Sequence, residues 1–173
     1  MPRPRQYTVH GPFEVPLIKG TGGRLVDNNR DKLQAFWKEV GEHKSLKGVY
    51  VFGIFFGRAW TPWYVGKTGR QTFEGEVFNV NNINKYNRAI VKDARGTPVI
   101  FLIAHPRTQG PIATNQITNV ERFFIRLAYT KNPNLLNERN LPTADDWAVK
   151  GVIRSGQGAP PDAARKLKRM IGL

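Results

Sequence analysis

The chain has no cysteine, only three histidines and two methionines, and 13 acidic residues against 27 basic ones. Without cysteine there is no disulfide framework, no thiolate zinc site, no iron–sulfur cluster and no cysteine nucleophile. The histidines, His10, His43 and His105, stand singly with no partner at metal-ligand spacing. Each therefore reads as an ordinary surface or core residue. Long apolar runs are also missing. The longest, GVYVFGIFFG at 48–57, holds three glycines and falls well short of the ~20 residues that cross a bilayer. The opening MPRPRQYTVHG carries no apolar segment of secretory type, so the expected compartment is the cytoplasm, with no membrane partner. No internal repeat or low-complexity tract is visible.

What is present is a 173-residue chain with 40% apolar residues, enough for one domain with a real core. The net charge is +14. Residues 1–46 hold 8 basic and 5 acidic residues, residues 47–110 hold 9 and 3, and residues 111–173 hold 10 and 5. The excess is spread through the body and is not confined to a tail. A body this basic attracts polyanions, nucleic acid first among them, with binding that weakens steeply in salt. A merely solvated basic surface is the plainer alternative.

Residues 1–30, rich in Pro, Gly, Arg and Asn, read as an irregular lead-in. Leu33, Phe36, Trp37 and Val40 recur at helical spacing and predict a short helix over 31–43. GVYVFGIFF (48–56) predicts a buried strand, GRAWTP a turn, and WYVGKT (63–68) a second strand. Two apolar stripes follow: Phe73, Val77 and Phe78, then Tyr86, Ile90 and Val91. Between them lies an Asn-rich break. VIFLIAH (99–105) is near-continuously apolar, as a strand buried on both faces should be. A second long helix is predicted over 117–130, ended by Asn132-Pro133. WAVKGVIRS (147–155) reads as a last strand, SGQGAPP as a hinge, and DAARKLKRMIGL as a basic amphipathic helix. That helix could clamp a polyanion or dock through Leu167, Met170 and Ile171. The fold class expected is α+β, an α/β sandwich with a small three-stranded antiparallel sheet flanked by helices.

Several residues bear on chemistry. Gly66-Lys67-Thr68 looks like the end of a phosphate-binding loop, but position 61, where that motif needs its first glycine, is Thr. Glu121 is more telling. Positions 117, 121, 124 and 128 share one helical face, and they are Ile, Glu, Phe and Ala. A carboxylate inside an apolar stripe must meet a cation or donors. A nearby Arg would make it a structural ion pair; a divalent ion such as Mg²⁺ would make it a metal ligand. Tyr50 and Tyr64 fall on neighbouring strands beside Gly66, Lys67 and Arg70. Strand tyrosines are usually core, yet nearby cations lower a phenol's pKa and suit it to proton transfer.

Gly48-Val49-Tyr50 and Tyr64-Val65-Gly66, joined by a short hairpin, resemble the two halves of the GIY-YIG nuclease signature. Downstream, Glu121 before FFIRLA and the segment NPNLLN, ending 16 residues after Glu121 at Asn137, resemble that family's metal-binding Glu and closing Asn. PWYVGKT, FEGEVF, KYN and WAVKGVIRS resemble a bacterial branch of the superfamily. The resemblance spans roughly 47–140 and divides the chain into an N-terminal extension (1–46), a core (47–141) and a C-terminal strand, hinge and helix (142–173).

The resemblance implies an endonuclease that hydrolyses phosphodiester bonds with Mg²⁺ or Mn²⁺, on DNA in preference to RNA. Tyr50 would be the general base or would orient a water, supported by Tyr64. Glu121 would hold the metal. Gly66 would let the backbone pass close to substrate, Lys67 would contact a phosphate, and Asn137 would anchor its loop. Where the family usually carries an arginine, about eight residues after the second-motif glycine, this chain has Glu74. An acid cannot stabilise phosphorane charge as a guanidinium does. Arg70 or Arg88 would then supply the cation, and Tyr86 stands for the family's following His or Tyr. Two further readings stay open: a catalytically weak or inactive nucleic-acid-binding module on the same scaffold, and a basic protein–protein adaptor. Oligomeric state is not set by the sequence.

Overall fold

A computed structural model of the chain describes residues 4–137, 147–153 and 158–173. In chain order the elements are β1 (Arg5–Glu14), β2 (Leu17–Gly20), β3 (Gly23–Val26), α1 (Arg30–Val40), β4 (Gly48–Phe56), β5 (Ala59–Lys67), α2 (Phe73–Glu76), α3 (Val80–Lys92), β6 (Thr97–Ala104), α4 (Thr114–Lys131), β7 (Trp147–Val149) and α5 (Asp162–Ile171). A 3₁₀ turn over Gly41–Ser45 follows α1.

The main sheet has five strands in the order β5-β4-β6-β1-β7, and β2 with β3 forms a separate hairpin. All neighbours in the main sheet are antiparallel except β1 and β7. The class is α+β, as the sequence implied, but the expected three-stranded sheet is corrected to five. The added strands have a local reason. Tyr7 and Val9 point inward two residues apart along β1, a period-two signal only two residues strong, set among Pro, Arg and Gly. The segment read as an irregular lead-in therefore contributes a strand, and β1 bonds to β6 along one edge and β7 along the other.

Strand alternation sorts the core into two layers. Val49, Val51, Val65, Phe101 and Ile103 join the buried residues of α4 and α5 on one face. Tyr50, Phe52, Tyr64, Ile100 and Leu102 join those of α1, α2 and α3 on the other. Helices on both faces explain why β4 and β6 read as continuous apolar runs. The β4–β5 turn is Gly57-Arg58, with Gly57 at φ +60°. GRAWTP is therefore not a six-residue turn; its last four residues are strand. Helix α5 docks: Ala164, Leu167, Met170 and Ile171 are buried against the layer that α4 covers. Of the last predicted strand, Trp147–Val149 is β7 and Val149 bridges back to Ile153. Residues 154–157, the end of that predicted strand and the start of the predicted hinge, lie outside the described residues. Among the described residues no helix is long and apolar enough to cross a membrane.

Candidate active site around the edge strand

The β4–β5 register sets the site. Tyr50 pairs with Gly66 and Phe52 with Tyr64, so both phenols project from the same face of the sheet. Their ring centroids are 6.2 Å apart. Gly66 makes room for Tyr50: a Cβ there would stand 2.3 Å from the ring's Cζ and hydroxyl oxygen. The glycine thus seats the tyrosine ring.

Helix α3 supplies a donor to each phenol. Its face repeats at three and four residues through Asn82, Lys85, Tyr86 and Ala89. Asn82 Nδ2 donates to the Tyr50 hydroxyl at 2.7 Å and to the Glu76 carbonyl at 2.8 Å. Lys85 Nζ donates to the Tyr64 hydroxyl at 3.1 Å and stands 4.2 Å from that ring's centroid. Asn82 is itself held by the helix start, its backbone N–H donating to the Asn79 cap, while Asn79 Nδ2 holds the Glu76 carboxylate at 3.0 Å. Sequence reasoning missed Asn82, Lys85 and Glu76. The signal was there in Asn82-x-x-Lys85-Tyr86, which puts two donors beside a core aromatic. It became visible only when that face met the phenols.

Burial dominates the acid–base character. Tyr50 is only 1% exposed, and its phenol is pushed well above the ordinary range by burial, then by the neighbouring Tyr64 and Glu76, with the Asn82 bond opposing. The expectation that nearby cations lower it is corrected: among the described residues no ammonium or guanidinium bonds to Tyr50, and the desolvated phenolate is the disfavoured form. Burial likewise raises the Glu76 carboxyl, against the pull of the Asn79 bond. Tyr86 is fully buried, stacks on Phe52 at 4.2 Å and donates to the Val77 carbonyl at 2.9 Å. It is a core residue and cannot be the substrate contact expected of it.

Glu121 belongs to the other layer. It lies on α4 among Ile117, Val120 and Phe124, which pack the opposite face. Lys67, the last residue of β5, pairs in register with Val49, and so roots on that same opposite face. Its Nζ meets Glu121 Oε2 at 2.6 Å, with the two side chains 32% and 15% exposed. The structure therefore builds two subsites from β5, a phenol subsite and an acid–ammonium subsite. Among the described residues no hydrogen bond or ion pair joins them. One open cleft holding both phenols and the carboxylate is not what the structure displays.

The remaining candidates fall around this edge. Arg70 is exposed, and its carbonyl accepts from Lys47 Nζ at 2.8 Å. Arg88 is exposed on α3 and lines a shallow surface cavity of about 340 Å³ with Asn87, Val91 and Lys92. Glu74 turns outward to Lys44 at 3.2 Å. Thr68, which completed the false phosphate-loop motif, is buried and bonds through Oγ1 to the Gly48 N–H at 2.9 Å. Asn137 grips the outer edge of β5: its Oδ1 accepts from Val65 N at 2.7 Å and its Nδ2 donates to Val65 O at 2.6 Å.

Magnesium and manganese favour oxygen ligands, and Mg²⁺ commonly takes one or two protein carboxylates and keeps its waters. Glu121 offers one carboxylate, and the Lys67 ammonium at 2.6 Å already neutralises it, so a divalent ion would have to displace that lysine. Among the described residues no three His, Cys, Asp or Glu gather into a site that would hold one alone. Family models, characterised proteins and solved structures were each compared with the chain, and none matches.

Proposed function

We propose that the chain is a metal-dependent endonuclease that hydrolyses phosphodiester bonds in DNA. The observation that carries this reading is the crowding of reactive groups onto residues 64–67 of one edge strand. Tyr64 bonds to an ammonium from α3, Gly66 seats Tyr50, and Lys67 meets Glu121. The +14 body supplies the attraction for a polyanion. Phosphodiester hydrolysis needs an oriented water, a proton acceptor and charge stabilisation. A divalent ion at Glu121 would supply Lewis acidity and leaving-group stabilisation when bound. The chain's own groups do the rest. Tyr64, nearer the surface than Tyr50, orients the attacking water. Lys67 turns from Glu121 to a phosphate oxygen as a point charge.

A specific pair of observations favours a second reading, a catalytically weak or inactive nucleic-acid-binding module. Tyr50 is buried, and Glu74 stands at the arginine position of the resembled pattern but faces Lys44. Cleavage of plasmid and branched DNA in Mg²⁺ and Mn²⁺ decides between them. The nuclease reading expects turnover that falls at least ~100-fold in Glu121→Ala and Tyr64→Phe, with salt-sensitive binding retained. Turnover surviving both changes removes the site. Salt-sensitive binding without turnover on any substrate establishes the binding module.

A further inference from the structure

We propose that Lys85 is a phosphate-contacting catalytic residue, the cation of the phenol subsite. Lys85 is half-buried, and its ammonium is held against Tyr64 through the hydroxyl at 3.1 Å and over the ring at 4.2 Å. Among the described residues no carboxylate pairs with it. An ammonium has three donors, and the Tyr64 oxygen takes one. Among the described residues no other bond takes up its protons, and Tyr64 beside it is 9% exposed against 1% for Tyr50. A partly desolvated cation without a counter-charge is suited to an external anion, and phosphate is the anion a basic chain meets on nucleic acid.

The neighbours on α3 sharpen the assignment. Three residues earlier, Asn82 is neutral, 3% exposed, and commits its amide to Tyr50 and the Glu76 carbonyl. Four residues later, Ala89 is core. Lys85 is thus the one charged group that α3 puts on the phenols. It sits on the same face as Tyr64, whereas Lys67 sits on the other. The catalytic half of this inference rests on the nuclease reading; the phosphate contact does not.

The test uses the full chain with Lys85→Met, which keeps an unbranched stem over the Tyr64 ring and removes the charge, and Lys85→Arg, which keeps the charge. Cleavage is expected to slow by about 10²–10³-fold in Lys85→Met, the usual loss for one transition-state donor. The slope of log affinity against log salt should become shallower by about one, with Lys85→Arg restoring it. A normal slope in Lys85→Met overturns the inference even if cleavage slows, because the lysine then acts only through packing on Tyr64. A wild-type chain that cuts no DNA sinks the nuclease reading, and the slope still decides the phosphate contact. Should Lys85→Met fail to fold, acylation of the wild-type lysines in metal-free buffer answers the same question. DNA is expected to protect Lys85 but not Lys38 on the exposed side of α1, and equal labelling of Lys85 with and without DNA overturns the contact.

Discussion

At the scale of single residues, the site depends on small side chains that let large ones approach. Gly66 is the plainest case. Its cross-strand partner Tyr50 lies so close that any Cβ would collide with the ring at 2.3 Å, and that ring is buried, at 1% exposure. Gly66→Ala is expected to destabilise the chain by about 1–3 kcal/mol, an overpacking cost. That corresponds to a fall of about 3–10 °C in Tm for a chain of this size. Thermal unfolding that leaves Tm unchanged would show that Tyr50 can repack. Thr68 shows the same compactness in polar form. Its hydroxyl replaces a backbone partner at Gly48, so GKT here closes a strand pair.

At the scale of elements, β5 is the edge strand that carries both subsites, and an edge must have its outward N–H and C=O groups covered. The segment after α4 does this. Asn132 Nδ2 donates to Pro62 O at 2.8 Å, Leu136 N donates to Trp63 O at 2.9 Å, and Asn137 brackets Val65 with two bonds. NPNLLN is therefore a side-chain and backbone zipper along the edge. Asn137→Ala removes the last two bonds beside Gly66 and Lys67, at a cost of about 1–3 kcal/mol. Local opening should accelerate hydrogen exchange at the Val65 amide by about 10–100-fold. Exchange at wild-type rate would mean that β5 holds its end without the asparagine.

At the scale of the whole molecule, the fold joins residues that are remote in sequence. His10 on β1 and His43 in the 3₁₀ turn after α1 stack at 3.6 Å, with Thr8 bonding to the His10 Nε2 at 3.0 Å. Burial first, and the His43 ring second, lower His10 from 6.5 to about 4, with Glu42 opposing. The folded chain therefore keeps this imidazole neutral where the unfolded chain takes up a proton. Stability is complete above about pH 6.5 and declines as pH falls toward 4. For a partly exposed ring the loss is about 1–2 kcal/mol, or roughly 3–6 °C in Tm. His10→Gln should flatten the Tm difference between pH 7.5 and pH 5.0; an undiminished difference would place the sensitivity in other groups.

The sequence by itself determined the strands β4 and β6, the helices α1, α4 and α5, and the partnership of Tyr50 with Tyr64. Each of these rests on a continuous apolar run, on helical periodicity, or on two strands joined by a short connection, whose register the Gly57-Arg58 turn then set in the structure. Glu121 in its apolar stripe announced a cation or hydrogen-bond donors beside it, because a carboxylate cannot be buried bare. Only the tertiary structure decided the rest. It made β1 a strand inside the sheet, named Lys67 as the partner of Glu121, brought Asn82 and Lys85 to the phenols, and put Tyr86 in the core. It also set the carboxylate and the phenols on opposite faces. The physical reason is that local patterns report which face of an element is apolar. Which polar group meets another across 21 to 54 residues depends on how those faces are stacked.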